Sequence, residues 1–215
     1  MESVVLKEFC AENLTNIPAA IKAGAKRIEL CDNLAVGGTT PSYGVIKKAV
    51  EIAHNAGVTI MTMIRPRGGG FEYSHAEAEI MANDIEVCVQ LGSDGVVFGC
   101  LKNGWIDEEL TSQLISKSED MEITFHMAFD ELSEEAQFKA IDWLAEKKVS
   151  RILTHGGSSD QSIEANFPHL KKLIEYAGDR IIILPGAGVN YQNLEGLLDA
   201  LQVKEAHGTK IVKLR

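Results

Sequence analysis

The stretch Arg27-Ile28-Glu29-Leu30-Cys31 decides the reading of this chain. Its apolar residues alternate with polar ones, the period-two pattern of a strand with one face against a core. Ile28 and Leu30 take one side, and Glu29 and Cys31 take the other. Folding does not require a carboxylate and a thiol at the end of an apolar strand. Such groups usually mark a site on an α/β scaffold.

Outward from this stretch, apolar β-branched runs recur at fairly even intervals. Strands are predicted near residues 4–10, 27–31, 58–64, 95–98, 122–126, 151–154, 181–184 and 205–207. Segments of helical period separate them, as in Ile17-Ala20-Ile21 and Val45-Ile46-Ala49-Val50-Ala53. Ser74 with Glu77 forms a capping box, and Asp107 and Asn190 are predicted N-caps. Gly24, Gly57, Gly92 and Gly178 stand where helices would end. Eight such steps in 215 residues predict one (β/α)8 barrel of the TIM type spanning residues 1–215. A doubly wound sheet is the competing topology, but no Gly-x-Gly-x-x-Gly follows the first strand. So few residues follow the eighth strand that the last outer helix is predicted to be short or absent.

Bulk properties exclude several functions. The net charge of -10 repels nucleic-acid backbones, and the basic tail Lys210 to Arg215 is too short to offset it. No apolar run reaches the roughly 20 residues of a membrane span. No secretory leader is visible, and Cys10, Cys31, Cys88 and Cys100 lack the spacing of a disulfide framework. A cytoplasmic setting is therefore expected.

Barrel interiors take alternate residues of each strand. Parity then puts Glu8 with Cys10, Glu29 with Cys31, Met61 and Met63 with Arg65, Thr124 with His126, and Glu205 with His207 on the inner face. Buried charges need partners, so this set is either a functional site or a paired network filling the barrel. Arg65 and Arg67 flank a proline and run into Gly68-Gly69-Gly70. They can hold a carboxylate or phosphate, with the glycine backbone as an anion nest. Gly186 and Gly188, in the turn after strand seven, suit a phosphate in the same way. Glu8, Glu29, His126, Asp130 and His207 are candidate acids and bases. Asp130 can orient His126, but capping of the helix beginning near Ser133 is the favoured role. Cys88 reads as core, Cys100 as packing near the mouth, and His54, His75 and His169 as surface residues. No Gly-x-Ser-x-Gly or His-Glu-x-x-His motif occurs.

Several motifs together resemble one family. They are Arg27 to Cys31, Gly37-Gly-Thr-Thr-Pro-Ser42, Met63-Ile-Arg-Pro-Arg-Gly-Gly69, Asp94 to Gly99, Thr124-Phe-His126 with Ala128-Phe-Asp130, Pro185-Gly-Ala-Gly188 and His207-Gly208. Their order and near-complete coverage resemble the CutC-type copper homeostasis proteins. The resemblance implies a TIM-type barrel, a cytoplasmic protein, a homo-oligomer and copper(I) at Cys10 and Cys31. The chain departs from the family pattern at Met127, where many relatives carry arginine, and at His155, where many carry serine. The added imidazole of His155 supplies a further ligand or base near the mouth. Cys10 and Cys31 are expected at one level of neighbouring strands about 4.8 Å apart, close enough to share an ion. Met63 is expected nearest to them. Two functions follow as expectations: copper(I) binding in copper homeostasis, or a barrel enzyme acting on a small anionic, carboxylated or phosphorylated, substrate.

Overall fold

Eight parallel strands, alternating with helices, form a nearly closed barrel in the computed structural model, which describes residues 5–158 and 160–214. The chain runs β1 (Leu6–Glu12), α1 (Ile17–Lys22), β2 (Arg27–Cys31), α2 (Tyr43–Asn55), β3 (Thr59–Met63), α3 (His75–Leu91) and β4 (Gly95–Phe98). A short hairpin follows, β5 (Leu101–Lys102) and β6 (Trp105–Ile106), which the sequence reading missed. Then come α4 (Glu108–Lys117), β7 (Glu122–Phe125), α5 (Glu134–Glu146), β8 (Arg151–Thr154), α6 (Phe167–Ala177), β9 (Ile182–Pro185), α7 (Leu194–Leu201) and β10 (Glu205–Gly208). The barrel order is β10-β1-β2-β3-β4-β7-β8-β9. Val4, included in the predicted first strand, lies outside the described residues.

Local chemistry accounts for the helix ends. Ser74 accepts from the Glu77 N–H while the Glu77 carboxylate accepts from the Ser74 N–H, the predicted capping box of α3. Asp107 caps α4. The predicted cap at Asn190 is displaced: α7 starts at Leu194, with Asn193 in the cap position. The Asn190 carboxamide instead accepts from the Gln192 and Asn193 N–H groups within the preceding turn. No helix follows β10 among the described residues. A groove of about 650 Å³ lies between α1 and α7, lined in part by Lys7, Lys22, Tyr191 and Ile211.

The barrel wall separates two buried groups. Phe9, Ile28, Leu30, Ile60, Ile64, Phe98, Ile123 and Phe125 face outward and pack with the helices. Cys10, Cys31, Met61, Met63 and Val97 form a distinct inner cluster. Cys88 and Cys100 both belong to the outer core, and burial pushes the Cys88 thiol up to about 12. No helix here is long and apolar enough to cross a membrane, among the described residues.

Candidate functional site

The site is built on β1, β2 and β10, where period-two alternation turns polar side chains inward. The lower barrel is a chain of charges. Arg27, 2% exposed, pairs with Glu8 and, at 2.7 Å, with Glu205. Arg151 reaches Glu205 at 3.4 Å and Glu122 at 2.8 Å. Arg27 and Arg151 were not among the candidates, although Arg27 shares the parity of Glu29. Above this network, Glu8 accepts from His207 Nδ1 at 2.8 Å. Arg27 and His207 together overcome the opposing effect of burial and hold the Glu8 carboxyl at about 2.

Cys10 and Cys31 are not level with one another. Cys10 stands opposite Glu29, and Cys31 opposite Glu12. This two-residue offset corrects the expectation from parity, which carries no information about strand stagger. The side chains close the gap diagonally: the ligand atoms of Cys10, Glu29 and Cys31 all lie within 4.8 Å of one another. Cys31 Sγ is 3.4 Å from Glu29 Oε2. The hydrogen bond from Cys31 holds the Cys10 thiol well below its usual value, against burial and with help from His207 and Glu29. Cys31, as the donor in a fully buried position, is pushed well above. Burial, then repulsion from Cys10 and Glu8, raises Glu29. Burial opposes a charge on His207, but Glu29, Cys10 and Glu8 outweigh it and raise its pKa well above 6.5.

A roof covers these thiols. At Gly38, with φ +88°, a Cβ would stand 3.2 Å from Cys31 Sγ and 3.7 Å from the Met63 methyl carbon. Leu34, in the same loop, packs on the inner cluster. Arg65 holds this loop in place. Its Nη1 donates to the carbonyls of Val36 (2.8 Å) and Gly38 (3.0 Å), and its Nη2 to that of Gly69 (2.6 Å). Arg67 points away, binding Glu77 at 2.5 Å and the carbonyls of Gly68, Gly70 and Glu72. The tri-glycine thus turns carbonyls toward both guanidinium groups.

The other candidates lie apart from the thiols. His126 packs at a tilt of 53° against the Phe71 ring, which also faces Arg65. Its Nδ1 accepts from the Ala128 N–H at 3.2 Å, which assigns the proton to Nε2. Burial and Arg65 push it down to about 3. Asp130 neither orients His126 nor caps α5, whose cap is Ser133. It accepts instead from the Thr154 hydroxyl and from the His155 N–H at 2.9 Å. His155 turns both ring nitrogens to carbonyls, of Ala187 at 2.8 Å and Gln161 at 3.2 Å. A Cβ at Gly186 would meet the Leu153 side-chain end at 2.4 Å, so a larger residue there would displace that buried leucine. Gly188 has φ +92° and accepts from Asn193 through its carbonyl. His54 and His75 are exposed, but His169 is partly buried against Gln137.

The arrangement is a TIM-type barrel whose inner face closes over thiols, an imidazole and carboxylates. Its fold is shared with an aldolase, QR15, at a TM-score of 0.71 and 12% identity, covering 99% of this chain and 92% of that one. The chain belongs to the CutC family, whose family model matches residues 5–212. It is 58% identical to the CutC family protein of Enterococcus faecalis over 97% of this chain and 100% of that protein. It is 38% identical to the human copper homeostasis protein cutC homolog over 94% and 72%. The CutC crystal structure from Streptococcus agalactiae superposes with a TM-score of 0.94 at 47% identity, covering 97% and 100%.

Proposed function

We propose that this chain serves copper homeostasis by binding copper(I) as cargo between Cys10 and Cys31. The observation that carries the reading is the convergence of two thiols within 4.8 Å, inside a cluster that also contains Met61 and Met63. Copper(I) prefers soft thiolate and thioether donors. All four cysteines are free, so the pair is available in a reducing compartment. The lowered pKa of Cys10 favours the thiolate, the form that ligates a metal.

The enzyme reading has weaker support. An anion would need the guanidinium groups of Arg65 and Arg67, whose Nη groups are engaged by carbonyls and by Glu77, as is Arg67 Nε, leaving only the buried Nε of Arg65 without a partner. The test is a copper(I) titration in competition with a strong chelator. Cys10→Ser and Cys31→Ser should each abolish tight one-to-one binding, and unchanged affinity in both variants would end the reading.

A further inference from the structure

The two cysteines do not exhaust the donors in this pocket. We propose that it is a four-donor site that also takes zinc(II), in which Glu29 and Nε2 of His207 join Cys10 and Cys31, and Glu8 orients His207. The inference rests on the thiol pair invoked above but not on copper.

Glu29 carries the argument. It is 2% exposed, and its Oε1 has no hydrogen-bond partner. A buried carboxyl oxygen without a hydrogen-bond partner is costly, and a cation that displaces the Glu29 proton answers it. The same residue belongs to both groups of converging ligand atoms, Cys10 with Glu29 and Cys31, and Glu8 with Glu29 and His207. Its Oε2 lies 3.4 Å from Cys31 Sγ and 3.7 Å from His207 Nε2.

His207 has the arrangement of a metal-binding histidine. Its Nδ1 donates to Glu8 at 2.8 Å, which leaves Nε2 directed at Glu29. A carboxylate behind the ring fixes the tautomer and the ring plane. Glu8 is in turn held by Arg27, which is tied to Glu205. Its charge is thus already compensated, so Glu8 is a positioning residue and not a ligand.

The donor types select the ion. Zinc(II) accepts thiolate, imidazole and carboxylate in one tetrahedral set. Copper(I) gains little from a carboxylate, whereas a borderline divalent ion gains a full ligand. Every donor ligates in its deprotonated form, so the protons on Cys31, Glu29 and Nε2 of His207 leave to solvent while Nδ1 keeps its own toward Glu8.

The test titrates the purified full chain with zinc(II) against a chromophoric chelator, with cobalt(II) as a spectroscopic stand-in. One equivalent should bind, and cobalt(II) should show thiolate charge-transfer bands with the intense visible bands of a tetrahedral site. Glu29→Gln, which keeps the side chain's shape, should weaken zinc(II) at least about 10-fold and copper(I) less than about 3-fold. Glu8→Gln should weaken zinc(II) by about 10- to 100-fold while leaving the cobalt(II) bands in place. Wild-type protein without stoichiometric zinc(II) binding overturns the proposal. So does a folded Glu29→Gln, verified by thermal melting, that binds zinc(II) as tightly as wild type. Failure of the copper titration with zinc binding intact would remove the copper reading alone.

Discussion

Nη1 of Arg65 donates a 3.0 Å hydrogen bond to the carbonyl of Gly38, the residue that lies against Cys31 Sγ. With Val36 and Gly69 as further acceptors, one guanidinium ties the loop after β2 to the loop after β3. Arg65 therefore acts as a latch on the roof of the thiol site. Removing it should let that roof open more often. Arg65→Met is expected to speed alkylation of Cys31 by roughly 10-fold, since local opening governs access to a buried group. The check is peptide-resolved mass spectrometry after timed iodoacetamide treatment. Equal rates in both proteins would mean that the loop is held by its apolar packing through Leu34.

Gly38 gives a second prediction. Its φ of +88° is strained for any residue with a Cβ, and that Cβ would press on Cys31 at 3.2 Å. Gly38→Ala should cost about 1–3 kcal/mol in urea unfolding. Gly44, in α2 with nothing within 4 Å of its Cβ direction, is the internal control. Gly44→Ala should stabilise by about 0.5–1 kcal/mol. Similar destabilisation in both variants would remove the steric account.

The inner face was legible in the sequence because alternation alone sorts Ile28 and Leu30 from Glu29 and Cys31, and the outer and inner clusters follow that division. Strand stagger was not legible, since a local pattern fixes which way a side chain points but not how far strands slide. The role of Arg65 was hidden for a related reason. A guanidinium beside three glycines suits an anion or a set of carbonyls equally well, and the loop path decides between them. Asn190 and Asn193 are chemically identical caps three residues apart, so the start of α7 could not be read from residue type. Arg27 was readable: the alternation that placed Glu29 inside places Arg27 inside too.

The charge network beneath the site should be costly to break. Arg27 neutralises both Glu8 and Glu205 inside the barrel. Arg27→Met should destabilise by about 3–5 kcal/mol, because it leaves buried carboxylates uncompensated. Adding Glu8→Gln to that variant should recover part of the loss, as the orphaned charge is removed. Urea unfolding of the two variants measures this. A loss below about 1 kcal/mol for Arg27→Met would show that water reaches the network and screens it.

His126 should give the protein a distinctive acid sensitivity. Burial and Arg65 lower its pKa from 6.5 to about 3. Above pH 6.5 the ring is neutral in folded and unfolded chains alike, and its titration contributes nothing. Between 6.5 and about 3 the unfolded chain takes up a proton that the folded chain refuses. Stability therefore falls as pH falls, by up to about 1.4 kcal/mol per unit from this residue. His126→Asn cannot titrate but keeps a side-chain oxygen that can accept from the Ala128 N–H. Its stability should decline less steeply across the same window, by up to about 1.4 kcal/mol per pH unit. Glu8, whose depressed pKa also makes the fold acid-sensitive, is present in both proteins and cancels. Chemical denaturation at a series of pH values gives the two slopes. Equal slopes would mean that His126 takes up its proton in the folded chain near the ordinary value, with its contact with Phe71 opened to water.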